Sequence, residues 1–127
     1  QFCGGETIEE CQRTIEKLAA SGIGTILDYS VEGKADERVF ESTKNEIYRT
    51  ITRAKADDAI PFAVFKMTGI ARFEILEKVS AGKALLKGEE AEWDRTKARV
   101  YELCEYAHSI DQPLFIDAEE SWIQDAI

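Results

Sequence analysis

Cysteine and histidine are scarce in this chain of 127 residues, which has three cysteines and one histidine. The cysteines, at positions 3, 11 and 104, form no C-x-x-C pair. Cys104 and His108 stand four residues apart on a predicted helix, a spacing that suits a metal, but two ligands alone do not make a site. We therefore predict no metal and a buried thiol at Cys104, and the unpaired thiols indicate a reducing compartment.

Basic residues and long apolar runs are also lacking. The chain has 16 lysines and arginines against 25 aspartates and glutamates, for a formal net charge of -9. Such a charge repels phosphate backbones and anionic lipid surfaces, so we expect no nucleic-acid partner. No apolar run approaches the roughly 18 residues that a membrane span needs.

Proline and glycine are few, with two and eight residues, and no stretch rich in Pro, Gly or Ser divides the chain. We therefore predict a single domain over residues 1–127, a length that allows one hydrophobic core. The chain starts without methionine and stops inside a predicted helix, so we expect it to be a segment of a longer polypeptide.

Short apolar segments alternate with long amphipathic ones. Strands are predicted over residues 23–29, 62–68 and 114–117, and the unbroken apolar run in the second is typical of a strand buried on both faces. One helix is predicted behind a capping box of Thr7 and Glu10, and another over 35–56 behind the N-cap Asp36. Further helices are predicted over 73–79, over about 89–109 and from Ser121 onwards. This order predicts an α/β fold with about three parallel strands alternating with helices.

Each predicted strand carries charge at or near its end. Asp28 ends the apolar part of the first strand, Lys66 lies in the second and Asp117 ends the third. The carboxyl ends of parallel strands in an α/β barrel open on one rim, where active sites are found. An ammonium between Phe65 and Met67 is costly to bury unless it is paired or functional. We therefore expect Lys66 and Asp117 to face a common space at this rim.

Two structural alternatives stay open for these charges. Lys66 could form an internal salt bridge with Asp28 or Asp117, and Asp117 could cap the helix that follows it. Of the two glutamates that come next, at most one points into a site. We favour Glu119 over Glu120, because on a strand it shares a face with Asp117.

Three segments carry a specific resemblance to a known family. Residues 22–33 (GIGTILDYSVEG) resemble the first barrel strand of proline dehydrogenase, residues 64–69 (VFKMTG) its second strand and residues 115–121 (FIDAEES) its third. The early residues 4–7 (GGET) are similar to the entry segment of that family. Order and approximate spacing agree over nearly the whole chain.

The resemblance implies a distorted (βα)8 TIM barrel that holds FAD without a covalent bond. It implies oxidation of L-proline to Δ1-pyrroline-5-carboxylate by hydride transfer to the flavin, with the electrons passed to a membrane quinone. It also implies a location: cytoplasmic and peripheral at the inner face of the membrane in a bacterium, mitochondrial in a eukaryote.

The resemblance further implies roles for four residues. Lys66 would bind the proline carboxylate, and Asp117 would belong to the polar network of the active site. Glu32 would pair with an arginine and help to close the site. Ala118 would stand where a small residue lets the backbone approach the flavin.

The chain contains only part of what this family needs. A (βα)8 barrel takes about 250 residues, so the chain would supply roughly half of one, with three of its eight strands. The paired substrate-binding arginines of the family lie on its last helix, and most flavin contacts lie on strands four to six. We therefore expect the segment alone to be inactive and not to retain FAD. We also expect it to self-associate, because open sheet edges and half of a barrel interior would be exposed.

Two other functions remain possible from the sequence. The chain could be a non-catalytic α/β module that acts by protein contact. It could also belong to another flavin-dependent barrel enzyme, such as a relative of methylenetetrahydrofolate reductase. The combination of Lys66, Asp117 and Glu32 at successive strand ends favours proline dehydrogenase over that second enzyme.

Overall fold

The computed structural model describes residues 4–29, 36–118 and 120–127, in which helices are combined with a small parallel sheet. In chain order the elements are the helices α1 (Gln12–Ala19) and α2 (Glu37–Lys55), the strand β1 (Ala63–Lys66), the helices α3 (Phe73–Ser80) and α4 (Lys87–Ser109), and the strand β2 (Leu114–Asp117). A short 3-10 helix follows each strand, at Met67–Gly69 and at Ser121–Ala126. None of the helices within these ranges is long and apolar enough to cross a membrane.

Strands β1 and β2 run parallel and form a two-stranded sheet. Helices α3 and α4 lie between them in the chain and make the crossover that a parallel pair requires. Both strands fall inside segments predicted as strands, and the mixed α/β class is confirmed. Strand β1 is shorter than predicted, because the chain turns into a 3-10 helix directly after Lys66.

The first predicted strand, over residues 23–29, is not a strand in the structure, so the described residues contain two strands rather than three. The segment does run beside the start of β1: the Thr25 amide donates to the Ala59 carbonyl at 2.8 Å, and a Cβ on Gly24 would meet Pro61 at 3.1 Å. Pro61 has no N–H to donate, so a regular ladder cannot pass through it. The exposed side chain of Ile23 is consistent with a segment that is paired on one side at most.

The predicted N-cap sets the start of α2, whereas the predicted capping box forms only in part ahead of α1. The Asp36 side chain accepts a hydrogen bond from a backbone amide of the first turn of α2, as predicted. The Thr7 hydroxyl accepts from the Glu10 amide at 3.2 Å, as a capping box requires. The Glu10 carboxylate, however, accepts from Glu6 rather than from Thr7, and the regular helix begins only at Gln12.

The core lies between β1 and the helices. Ala63 and Phe65 of β1 are almost fully buried, and α2 packs on this strand and on α4. The segment predicted as a helix from Ser121 forms a 3-10 helix that packs against α3. The buried side chains contributed by the helices include Ile15, Ile47, Ile51, Ile75, Leu76, Leu103 and Ile123.

Candidate functional site

The carboxyl ends of β1 and β2 bring two of the predicted site residues together. In the parallel register Lys66 lies opposite Asp117, so the two side chains leave the sheet on the same face. The neighbouring residue Phe65 points to the other face and is fully buried in the core. Lys66 therefore faces away from the helical core in spite of its apolar sequence neighbours.

Lys66 is held between two carboxylates. Its Nζ donates to Asp117 Oδ2 at 2.8 Å and lies 3.9 Å from Asp28 Oδ2. The Lys66 side chain is 13% exposed, against 46% for that of Asp117 and 41% for that of Asp28. The ammonium is thus largely covered, and a ligand would reach it past the more exposed carboxylates.

An open depression of about 440 Å³ adjoins this cluster of charges. Phe115 lines it and stacks on Phe62, with ring centroids 4.5 Å apart and 15° between the ring planes. Ile26 and Ile116 line it as well, and both are exposed. Charged groups beside exposed apolar side chains suit a small ligand that has both a charged and an apolar part.

The other residues predicted for the site lie partly within and partly outside the described residues. Glu32 and Glu119 lie outside the described residues. Ala118 directly follows Asp117 and is exposed, and its small side chain leaves room beside the strand end. Glu120 occupies the N-cap position of the last 3-10 helix, so the alternative that Asp117 caps this helix is wrong.

Arg99 of α4 is a buried charge that the sequence did not lead us to expect. Its side chain is 2% exposed. Its Nε donates to Glu41 Oε1 at 2.8 Å, its Nη1 donates to the Ile70 carbonyl oxygen at 3.0 Å, and its Nη2 pairs with Glu37. The guanidinium thus connects α4 both to α2 and to the turn that follows β1.

A sequence signal for Arg99 was present. Arg99, Leu103 and Ala107 recur every four residues and form one buried face of α4. We predicted a buried thiol at Cys104 on this helix and did not expect Arg99 to be buried. That prediction of a buried thiol is wrong, because Cys104 is exposed.

The turn that leads into β1 is fixed by a second charged contact. Arg53 of α2 binds the Asp57 carboxylate at 2.6 Å, and Asp57 also accepts the Ala59 amide at 3.0 Å. Both contacts lower the pKa of the Asp57 carboxyl, and the bond from Arg53 contributes most. Because the Ala59 carbonyl binds the Thr25 amide, this contact also anchors the segment that carries Asp28.

Comparison with known proteins identifies relatives. A family model described as proline dehydrogenase matches residues 11–127. The chain is 36% identical over 126 residues to the carbapenem antibiotics biosynthesis protein CarD of Pectobacterium carotovorum subsp. carotovorum, which covers 99% of this chain and 34% of that protein. It is 42% identical over 81 residues to the mitochondrial proline dehydrogenase 1 of Dictyostelium discoideum, which covers 63% of this chain and 14% of that protein. It is 24% identical over 164 aligned positions to the mitochondrial proline dehydrogenase 1 of Arabidopsis thaliana, which covers 99% of this chain and 33% of that protein.

The extent of these matches decides what they establish. The chain spans about a third of the length of two of these relatives and less of the third. No solved structure matches the chain significantly. Because the family model extends over far more than half of its residues, the chain belongs to the proline dehydrogenase family.

Proposed function

We propose that the full-length protein is an FAD-dependent oxidoreductase that oxidises L-proline to Δ1-pyrroline-5-carboxylate and passes the electrons to a quinone. Membership of the proline dehydrogenase family supports this activity. The structural observation that carries it is the cluster of Lys66, Asp117 and Asp28 at the strand ends. L-proline is a zwitterion with an apolar ring, and this cluster offers charges of both signs beside exposed apolar side chains.

The proposal gives Lys66 and Asp117 distinct tasks. The Lys66 ammonium binds the substrate carboxylate through a charge-assisted hydrogen bond. Asp117, at 2.8 Å, offsets the lysine charge when no ligand is bound and fixes the direction of the ammonium. Glu32 is proposed to help close the site, on the resemblance of its segment to the first strand of the family.

FAD would supply the hydride acceptor when it is bound. The described residues could line one side of such a group: Ala118 is small and exposed directly after β2, and the Phe115 ring is exposed on the same strand. We propose that Ala118 contacts the flavin and that most other contacts come from parts of the protein beyond this chain. On that basis the chain alone neither retains FAD nor oxidises proline.

The surrounding architecture and location follow from the same proposal. The parallel pair β1 and β2 with its helical crossover would form part of a (βα)8 barrel. An enzyme that reduces a membrane quinone works at the membrane surface, on the cytoplasmic side in a bacterium and inside the mitochondrion in a eukaryote. The proline dehydrogenases of Dictyostelium and Arabidopsis are both named as mitochondrial, which supports the second location for a eukaryotic source.

Anaerobic flavin bleaching tests the proposed activity. The full-length protein is purified, its FAD content is read from the absorbance, and L-proline or cyclopentanecarboxylate is added. We expect L-proline to bleach the flavin and cyclopentanecarboxylate, which keeps the ring and carboxylate but lacks the nitrogen, to compete without bleaching. A protein saturated with FAD that L-proline fails to reduce would overturn the proposal. Residues 1–127 prepared alone should show neither flavin absorbance nor dye reduction.

The similarity to CarD favours a second candidate, a role in antibiotic biosynthesis. The identity of 36% extends over 99% of this chain, whereas the Arabidopsis proline dehydrogenase reaches 24% over the same share. Deletion of the gene separates the two functions. Loss of antibiotic production with unchanged growth on L-proline would favour this second function, and lost growth on L-proline alone would favour the first.

A further inference from the structure

The turn between β1 and α3 is buried and continues directly from the lysine of the candidate site. Met67 and Gly69 belong to the 3-10 helix that begins right after Lys66, and Ile70 ends it without any exposed surface. A Cβ on Gly69 would meet the side chain of Thr43 in α2 at 3.4 Å, so the turn packs closely on that helix. Whatever holds this turn also fixes the backbone from which the Lys66 side chain extends.

Arg99 joins the turn to the two longest helices. From α4 its guanidinium donates to the Ile70 carbonyl oxygen at 3.0 Å and to Glu41 at 2.8 Å, and it pairs with Glu37. Its guanidinium carbon also lies 5.4 Å from the centre of the Phe40 ring. Burial lowers the pKa of Arg99, but an arginine starts so high that it stays charged.

The exposure of the two glutamates that bind Arg99 indicates why this arginine is buried. The side chains of Glu37 and Glu41 are 38% and 48% exposed, so solvent stabilises both carboxylates in part. Arg95 pairs with Glu37 as well, from a side chain that is 51% exposed. Neutralising the glutamates therefore does not require a fully buried arginine, whereas reaching the Ile70 carbonyl does.

We propose that Arg99 is a positioning residue, which holds the turn after β1 through the Ile70 carbonyl and thereby directs the Lys66 ammonium toward its carboxylate ligand. This role deepens the proposed function and rests on it. The guanidinium presents five N–H donors in a fixed plane and can serve three acceptors at once. A lysine at position 99 keeps the charge but cannot hold all three contacts.

Two controls separate positioning from simple loss of stability. Leu103, four residues later on the same buried face of α4, is fully buried, so Leu103→Ala weakens the fold without removing the bond to Ile70. Arg95→Met removes a bond to Glu37 and leaves Arg99 in place. The test variants are Arg99→Lys and Arg99→Met, and if Arg99→Met fails to fold then Arg99→Lys carries the test.

The first measurement is hydrogen exchange, followed by mass spectrometry on peptides that cover residues 67–71 in the full-length protein. Loss of a charge-assisted hydrogen bond should speed exchange in this turn by about tenfold to hundredfold in Arg99→Met. We expect a smaller rise in Arg99→Lys and wild-type exchange in Arg95→Met. The comparison with Leu103→Ala is made at temperatures that give equal global stability. If the turn exchanges equally fast in Arg99→Met and Leu103→Ala at equal global stability, the proposal is overturned.

The second measurement is the KM for L-proline in the same proteins. We expect KM to rise in the Arg99 variants by more than kcat falls, with Arg99→Lys closer to wild type, and KM to stay unchanged in both controls. Faster exchange with an unchanged KM would show that the turn does not direct Lys66. A wild-type protein that does not oxidise proline would refute the proposed function. If hydrogen exchange in the turn is still faster in the Arg99 variants, Arg99 holds the turn but has no role in substrate binding.

Discussion

At the end of β1, the Lys66 ammonium lies beside the carboxylates of Asp28 and Asp117, and these charges bear on the choice of ligand. Asp117 at 2.8 Å already offsets the charge of Lys66, and Asp28 adds a second negative charge at 3.9 Å. Among the described residues of this cluster, an amino-acid carboxylate that binds here adds a third negative charge beside Lys66. Further cations near the cluster would strengthen binding, which agrees with the expectation that paired arginines complete the site.

Lys66→Met in the full-length protein tests this lysine directly. The methionine keeps a side chain of similar length but deletes a charge-assisted contact of about 1.5–3 kcal/mol. We expect kcat/KM for L-proline to fall about tenfold to hundredfold. FAD should remain bound, because few flavin contacts are expected on this strand.

A matched control is Lys97→Met, since Lys97 is 56% exposed and pairs with Asp94 on the surface of α4. That variant should keep the wild-type kcat/KM. Wild-type activity in Lys66→Met with full flavin occupancy would make Lys66 a structural ion-pair partner only. Loss of the flavin would instead mean that Lys66 belongs to the cofactor site.

At the scale of elements, the turn that leads into β1 makes the stability of the fold depend on pH. The bonds from Arg53 and from the Ala59 amide lower the pKa of Asp57 below its usual value of 3.8. A carboxyl whose folded pKa is depressed stabilises the fold above its unfolded pKa, and this stabilisation is lost as pH falls through the folded value. Asp57→Asn should therefore lower the free energy of unfolding at neutral pH and by less at about pH 3.

Urea unfolding of the wild type and the two variants Asp57→Asn and Asp58→Asn at both pH values measures this effect. Asp58 is the next residue and is exposed, so it serves as the control and should show little difference between the two conditions. A difference between wild type and Asp57→Asn that grows toward low pH would contradict the assignment.

Elements were predictable from sequence where local signals and burial agree. Strand β2 matches its predicted range, and α2 begins behind Asp36 as its N-cap residue. The segment 23–29 has the composition of a strand, but a strand also needs partners along its length, and Pro61 beside it cannot donate. Arg99 was missed for a related reason: its burial depends on Glu41 and the Ile70 carbonyl, which distant parts of the sequence supply.

The packing of α2 on the sheet is tested by a substitution in its buried face. Ile51 is fully buried, so Ile51→Ala should lower the free energy of unfolding by about 2–5 kcal/mol through lost burial and a new cavity. Ser42→Ala lies on the exposed face of the same helix and should change it by less than about 0.5 kcal/mol. Chemical denaturation measures both, and a loss below about 1 kcal/mol for Ile51→Ala would contradict the packing.

At the scale of the whole molecule, the helices cover one side of the sheet, and the other side is exposed along β2. The helices cover Ala63 and Phe65, while Phe115 is exposed on the opposite face of the sheet. Ile116, on the edge strand β2, and Ile26 are exposed as well. Two relatives of the chain are about three times as long as it is, so additional chain is available in them to cover this side. The described part of residues 1–127 leaves these side chains exposed.

Residues 1–127 should therefore self-associate at tens of micromolar, because exposed apolar side chains next to an open strand edge favour contact between copies. Phe115→Lys places a charge on this surface, because Phe115 is exposed on the face opposite to Phe65, and it should shift the population toward monomer. Tyr101→Lys is the control: Tyr101 is 70% exposed on α4, away from the sheet, so its substitution should leave the association unchanged. Light scattering and sedimentation across a dilution series measure the mass of each variant. A wild-type chain that stays monomeric at these concentrations would show that the open side of the sheet is tolerated in water, and equal effects of the two substitutions would place the contact elsewhere.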